Sequence, residues 1–273
     1  MAVQDMPGAS PWTQRLLGVY GALVLIFLML PTVIVIPMSF SDSQYLEFPP
    51  TSWSIRWYRE YFGSAAWMSA TLTSLIVAGL TTIISTPIGT LAAYGMHCTS
   101  ERLRNALQLL VLMPIVVPSI LVAVGVFHLY AVIDLNYSIA GLVLAHTALA
   151  VPFVIITVLS SLNDYDMTQE MAARSMGSSR PRAFFEITLP QIKFSVMTGA
   201  FLAFITSLDE VVVAKFISGG ENATITRRMF NALRDQIDPT IAAISTCLIV
   251  ISVLALASVQ IFGTQTKGGD LRW

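Results

Sequence analysis

Six long apolar stretches dominate this chain of 273 residues and limit what it can fold into. Each contains about 20 or more residues, enough for a helix rising about 1.5 Å per residue to cross a bilayer. Lipid offers the backbone no hydrogen-bond partners, and the unbroken apolar runs lack the alternation of barrel strands. We therefore predict an all-α membrane protein with one transmembrane domain over 1–273. Its six spans are expected at 16–40, 67–96, 103–133, 138–162, 192–216 and 239–262.

The composition agrees with a membrane protein and excludes several other classes. Only 11% of the residues are charged and 55% are hydrophobic, which is too little charge to cover a soluble globule of this size. The net charge of −1 and the scattered basic residues give no reason to expect nucleic-acid binding. Cys98 and Cys247 are too dispersed for a disulfide framework or a metal cluster, so we expect no metal and no cofactor in this chain.

The basic residues also indicate which side of the membrane the termini occupy. An even number of spans puts both termini on one side, and lysine and arginine favour the cytoplasmic side. Nine basic residues fall on the side of the termini and six on the other. We therefore predict cytoplasmic termini. The nine are Arg15, Arg102, Arg104, Arg174, Arg180, Arg182, Lys193, Lys267 and Arg272; the six are Arg56, Arg59, Lys215, Arg227, Arg228 and Arg234.

A polar insert at 163–190 separates the fourth and fifth apolar stretches and carries a spaced motif. We predict a short helix over 168–176, ended by Gly177 in a left-handed conformation, and a second helix over 181–186. Pro190 is expected to reorient the chain into the fifth span because it has no N–H to donate. The motif residues are Glu170, Met171, Ala172, Ala173, Met176, Gly177, Ile187, Leu189 and Pro190.

The motif resembles the EAA loop of ATP-binding-cassette (ABC) importer permeases of type I. That resemblance implies a cytoplasmic coupling helix that docks onto a dimeric ATP-binding subunit, which binds ATP and Mg²⁺ itself. It also implies a second, related permease subunit, a periplasmic solute-binding protein and a place in the bacterial inner membrane. The chain departs from the family at Met171, where the usual glutamate directly precedes the two alanines; here the acid is Glu170. The sequence has no Walker-type phosphate loop, nucleophile elbow or zinc motif, so we predict no enzyme activity.

Two adjacent acids, Asp209 and Glu210, lie in the outer half of the fifth apolar stretch, just after Ser207. Acids within a membrane span usually face a cavity or a partner, which predicts a cation-attracting site on the solute path. Alternatively, both acids reach the outer interface, where Lys215 neutralises one of them. The run resembles the fifth span of polyamine importer permeases, such as those for spermidine and putrescine. Importers of opines, phosphonates and amino-acid derivatives share this framework, so the solute stays open.

Other polar or irregular residues receive more general predictions. Pro114 and Pro118 are expected to kink the third span and act in gating, or simply in packing. Tyr130, Asp134 and Asn136 are expected near a vestibule at its outer end. His128 and His146 are predicted to make hydrogen bonds between helices and not to bind metal.

Two functions from other classes are weighed against the importer. The first is an ion-coupled secondary transporter with Asp209 or Glu210 as its coupling carboxylate. The chain lacks the internal repeat that such proteins often show. The second is a polytopic membrane enzyme using His146 and Asp209, which lacks a well-spaced catalytic partner. The sequence favours the importer permease over both.

Overall fold

The protein is mostly helical in the part that the computed structural model describes, residues 11–235 and 237–264. Within these residues, strand pairing is confined to an isolated bridge between Ser41 and Trp53. This confirms the predicted all-α class. The helices are α1 (Pro11–Met38), α2 (Arg56–Gly63), α3 (Ala65–His97), α4 (Glu101–Val116), α5 (Ser119–Val132), α6 (Ile139–Asn163), α7 (Thr168–Ser175), α8 (Arg180–Ala183), α9 (Leu189–Leu208), α10 (Val212–Ile217), α11 (Ile225–Asp235) and α12 (Thr240–Thr264).

Four helical segments are long and apolar enough to cross a membrane, and a fifth is added if α4 and α5 form one bent span. The four are Trp12–Met38, Ala65–His97, Ile139–Asn163 and Arg180–Asp209. Helix α12 contributes a shorter apolar stretch, Thr240–Leu254. The chain is thus a multi-span membrane protein, while the count of six spans and the cytoplasmic termini stay predictions.

The third apolar stretch is not one continuous helix, contrary to the prediction for 103–133. Helix α4 ends at Val116 and α5 begins at Ser119, and the two axes differ by 91°. Pro118 lies at the break, where it disfavours helical backbone at Val117, which is extended with ψ 132°. Pro114, in contrast, lies inside α4. The predicted kink therefore exists, but as a full break at Pro118.

Contacts divide the described part of the chain into two compact units, one of residues 11–63 with those of the 232–249 stretch, and one of Ser64–Asn231 with residues 250–264. In the second unit, α3, α6 and α9 pack on one another. Serines fix where two of these helices begin. The side chain of Ser64 accepts a hydrogen bond from the N–H of Trp67, and that of Ser138 accepts one from Gly141.

Two buried clusters mark opposite ends of the α3, α6 and α9 bundle. One contains Tyr94 and Leu162 at the C-terminal ends of α3 and α6, together with Ile192 at the start of α9. The other contains Leu142 near the start of α6 and Val213 of α10, beyond the end of α9. The 163–190 segment therefore lies at one end of the bundle, and Asp209 and Glu210 follow the opposite end of α9. The 20 residues of α9 separate them by about 30 Å.

Candidate coupling segment and solute path

The polar segment between α6 and α9 has the predicted local form, a short helix, a glycine bend and a second short helix. Helix α7 covers Thr168–Ser175, and Gly177 has a φ of +96°, a conformation that strains any residue with a Cβ. Asp166 supports the start of α7, because its Oδ1 accepts the N–H of Thr168 at 2.9 Å. The same hydrogen bonding holds the pKa of Asp166 below its ordinary value. The docking role of this segment is not tested by its local form and stays a prediction.

The outward surface of the segment combines apolar side chains with positive charge. Met176 is 83% exposed and Met171 53% exposed, and Phe185 is also exposed. Arg174 is exposed on α7, and Arg182 forms an ion pair with Glu186 at 2.9 Å. Exposed methionines can adapt to the shape of a partner surface. Met171, the departure from the EAA pattern, is therefore part of a surface that is open to a partner.

Glu170 is the inward-facing residue of α7 and is fully buried. Its Oε1 accepts a hydrogen bond from the Tyr94 hydroxyl at 2.6 Å, and its Oε2 accepts one from the Thr188 hydroxyl at 2.6 Å. The Nε of Arg180 donates in turn to the Tyr94 oxygen at 3.3 Å. Sequence reasoning placed Glu170 in the motif without a role, because its partners lie 76 and 18 residues away and no local spacing signals them.

Pro190 does not reorient the chain, which corrects the prediction. A wide π-helical turn, Phe184–Thr188, joins α8 to α9, so the path from Arg180 to Asp209 is helical. In that turn the N–H of Leu189 bonds to the carbonyl of Phe184, one residue further back than in an α-helix. Pro190 then falls in the first turn of α9, where a missing N–H costs little. Ile187 and Leu189 are half-buried in this connection.

The fifth apolar stretch is interrupted at the two acids, so the prediction of a continuous helix over 192–216 is wrong. Helix α9 ends at Leu208 and α10 begins at Val212. Glu210 is half-buried, and its Oε1 accepts the N–H of Val213 at 2.6 Å, which caps α10. Asp209 is exposed. Both acids lie between two helices, so the spacing of an α-helix does not set the directions of their side chains.

Ser207 and Lys215, which lie near the two acids in the sequence, contact other residues. Ser207 is buried, and its hydroxyl lies 2.8 Å from Nδ1 of His146, which confirms the predicted hydrogen bond of that histidine between helices. The Nζ of Lys215 lies 3.8 Å from the ring centroid of Phe230. In the part of the chain that the structure describes, Arg182 and Glu186 form the one ion pair, so Lys215 does not neutralise either acid directly. Asp209 is thus the candidate with a free carboxylate surface.

Two of the remaining candidates meet at one cavity. Pro114 and Tyr130 both line a space of about 430 Å³ next to Val213, and its other walls are almost entirely apolar. Asp134 is exposed and has a positive φ of 56°. His128 is exposed, 6.0 Å from the Phe127 ring, so the prediction of a hydrogen bond between helices has no support there. No group of three or more potential metal ligands occurs among the described residues.

The sequence and fold are similar to those of known transport proteins. The family model for the binding-protein-dependent transport system inner membrane component matches residues 85–267. The spermidine/putrescine permease PotC of Haemophilus influenzae is 28% identical over 236 residues, covering 86% of this chain and 91% of PotC. The putrescine permease PotI of Escherichia coli K12 is 29% identical over 247 residues, covering 88% and 86%.

A bacterial ABC transporter that imports the acidic polysaccharide alginate shares the fold, with a TM-score of 0.67. The match covers 95% of this chain and 99% of the other at 14% identity, so it shows the architecture alone. The family model covers well over half of the chain. The chain therefore belongs to the inner membrane components of binding-protein-dependent transport systems, as a type I ABC importer permease that is similar in sequence to polyamine permeases.

Proposed function

We propose that this permease carries a polyamine or a related cationic amine into the cytoplasm of a bacterium across its inner membrane. An external solute-binding protein delivers the solute, and a separate ATPase dimer supplies the energy. A second, related permease subunit completes the pathway. The segment at 163–190 faces the cytoplasm in this arrangement and receives the ATPase.

The single observation that carries the coupling role is that one side of α7 is buried against the bundle while the other side is exposed. Its inner side is fixed by the buried Glu170, while Met171 and Met176 leave apolar surface exposed beside positive charge. Methionine and arginine are both enriched at protein–protein interfaces, so this combination is typical of a surface that receives a partner. An ATPase cleft with apolar walls and an acidic rim would cover this surface.

The solute assignment is supported by the names of the relatives and by Asp209. PotC and PotI are named for spermidine and putrescine. Asp209 is exposed beyond the end of α9, about 30 Å from the coupling segment, where a carboxylate can replace part of the water around an ammonium group. The Glu210 carboxylate already accepts the N–H of Val213 at the start of α10, so Glu210 is the weaker candidate for binding the solute.

A zwitterionic amino-acid derivative, such as an opine, is the second candidate solute, because one pocket offers both charges. Glu221 and Arg228 share a pocket of about 310 Å³, otherwise lined by alanine, serine and glycine. The Arg228 guanidinium also lies over Trp67, with 5.3 Å between its carbon and the ring centroid. Small walls and opposite charges suit an amino acid better than a polyamine.

Reconstituted uptake tests both the coupling and the solute. The permease complex is placed in liposomes with ATP inside and the binding protein outside, and radiolabelled putrescine, spermidine and an opine are compared. We expect ATP-dependent uptake of a polyamine that stops when the partner ATPase carries an inactive Walker motif. Uptake that persists with the inactive ATPase and follows an ion gradient would contradict the proposal and favour the secondary transporter. Opine uptake alone would replace the polyamine with the second candidate.

A further inference from the structure

Glu170 is an acid that this protein buries completely, and burial of a carboxylate is costly unless its oxygens are bonded. Here each oxygen accepts a short hydrogen bond of 2.6 Å from a different hydroxyl group. Tyr94 and Thr188 are themselves buried, so water does not compete for these bonds. Both carboxylate oxygens are therefore hydrogen-bonded. A leucine at 170 could not replace these bonds, because its side chain has no hydrogen-bonding atoms.

One donor lies in a helix of the bundle, and the other lies directly before a second helix. Tyr94 lies in the last turn of α3, which ends at His97. Thr188 is the last residue of the π turn, directly before α9 begins at Leu189. A single side chain of α7 therefore joins the C-terminal end of α3 to the N-terminal end of α9. The two helices are far apart in the sequence and come together only in the fold.

Arg180 and Phe184 extend this cluster to the second short helix. The Nε of Arg180 donates to the Tyr94 hydroxyl oxygen, and its guanidinium carbon lies 5.4 Å from the Tyr94 ring centroid. The Phe184 ring, in the π turn, packs against the Tyr94 ring with 4.6 Å between the two centroids. Tyr94 is thus held by α7, α8 and the π turn at once.

We propose that Glu170 is a positioning residue that fastens the coupling segment to α3 as well as to α9. This inference rests on the proposed docking of α7 onto an ATPase. When α7 moves, the covalent chain alone transmits that movement to α9 through α8 and the π turn. The Glu170 bonds deliver it to α3 in the same step, so that two helices of the bundle move as one body with the docking surface.

The packing farther along the bundle is suited to such a transfer. A Cβ placed at Gly89 of α3 would lie 2.6 Å from the Val154 Cβ of α6, and one placed at Gly199 of α9 would lie 3.3 Å from the same side chain. Both helices therefore contact one valine at close range. Closely packed helices transmit displacement with little deformation.

The test removes the bonds one at a time in the reconstituted importer. Tyr94→Phe removes the donor to Oε1, Thr188→Val removes the donor to Oε2, and Glu170→Leu removes both acceptors. Glu170→Gln keeps an acceptor for Tyr94 and is the conservative variant. Glu101→Gln is the matched control, because it makes the same change at an exposed position in the first turn of α4.

The measured quantity is solute taken up per ATP hydrolysed. A lost hydrogen bond to a charged acceptor corresponds to about a tenfold change in an equilibrium. We expect Tyr94→Phe and Thr188→Val each to lower the ratio about tenfold, Glu170→Leu to lower it further, and Glu170→Gln to restore part of it. Glu101→Gln should stay within about twofold of the unchanged protein. ATPase binding should persist in all of them, since the docking surface is intact.

A spin-label distance measurement gives a readout that needs no ATPase. Labels are attached at Ser100→Cys, beyond the end of α3, and at Arg174→Cys on α7, with both native cysteines replaced by serine. We expect a narrow distance distribution that broadens in Tyr94→Phe and Thr188→Val, which also cover the case in which Glu170→Leu fails to fold. Unbroadened distributions would overturn the inference, and so would broadened distributions with an unchanged uptake ratio. If the unchanged permease binds no ATPase, the proposed function fails and the coupling inference fails with it.

Discussion

The contact between Gly89 of α3 and Val154 of α6 offers a sharp test of how the bundle is packed. An alanine at 89 would place its Cβ 2.6 Å from the Val154 Cβ and 2.7 Å from its Cγ1. Carbon atoms in favourable contact lie about 3.5–4.0 Å apart. The two helices must therefore separate by about 1 Å, because neither Cβ can rotate away from its own backbone.

The cost of Gly89→Ala follows from that displacement. Inserting a methyl group into a packed core costs about 1–3 kcal/mol. The better helix propensity of alanine returns up to about 1 kcal/mol. The net loss therefore lies between about 0 and 3 kcal/mol, and its middle, about 1.4 kcal/mol, corresponds to a tenfold shift in the unfolding equilibrium.

Reversible unfolding of the purified permease in mixed micelles measures this loss. The control is Gly95→Ala on the same helix, where an added Cβ meets nothing within 4 Å; it should be neutral or slightly stabilising. Gly199→Ala should fall between the two, since its nearest contact is 3.3 Å, to the Val154 Cα and Cγ1. If Gly89→Ala were as stable as Gly95→Ala, the close approach of α3 and α6 would be refuted.

Three further predictions concern the coupling segment and the acids. Gly177→Ala should lower uptake per ATP several-fold in liposomes, because a φ of +96° strains an alanine by about 1–2 kcal/mol; an unchanged ratio would show that the bend is not needed. Asp209→Asn should lower the uptake rate of a polyamine about tenfold without changing the melting temperature. Glu210→Gln should lower the melting temperature, because the Glu210 carboxylate caps α10. The reverse pattern would exchange the roles of the two acids. The Thr168 bonds hold the pKa of Asp166 below its ordinary value, so the cap it gives α7 persists at neutral pH and is lost as pH falls through that lowered pKa. The protection of the first-turn amides of α7 against hydrogen exchange, measured relative to their intrinsic rates at each pH, should therefore fall in acid, and Asp166→Ala, which removes the acceptor, should show low protection already at pH 7; indifference to both changes would exclude the cap.

Hydropathy located two of the long helices closely, because a span depends on a continuous apolar run. The stretch 67–96 became Ala65–His97, and 138–162 became Ile139–Asn163. Pro118 predicted an irregularity at this place in the sequence, but it did not predict the angle between α4 and α5. A proline disfavours helical backbone at the preceding residue whether the result is a kink or a full break, so it predicts the place of the irregularity and not the 91° angle.

The hydropathy pattern did not predict the helix break at 209–211, for a different reason. Val211, Val212 and Val213 continue the apolar run, so no composition change marks the end of α9. What permits the break is local chemistry, since the Glu210 carboxylate satisfies the N–H of Val213 at the start of α10. An acid at a helix start is common enough in sequences that it does not by itself predict an interruption.

The burial of Glu170 could not be predicted from the motif. Local periodicity places the residue on α7 but does not say which side of α7 faces the bundle. That depends on Tyr94, 76 residues earlier, and on the π turn that brings Thr188 into reach. In contrast, the positive φ of Gly177 was predictable, because a helix that ends in glycine is a local signal.

The central claim is that α7 and its bend form the surface that receives an ATPase. Thiol labelling of Met176→Cys measures this most directly, because Met176 is 83% exposed, with Cys98 and Cys247 replaced by serine. Glu221→Cys, an exposed position at the other end of the bundle, is the control. We expect the ATPase to slow labelling at 176 at least tenfold while labelling at 221 keeps its rate. Equal labelling rates at 176 with and without a bound ATPase would contradict the account.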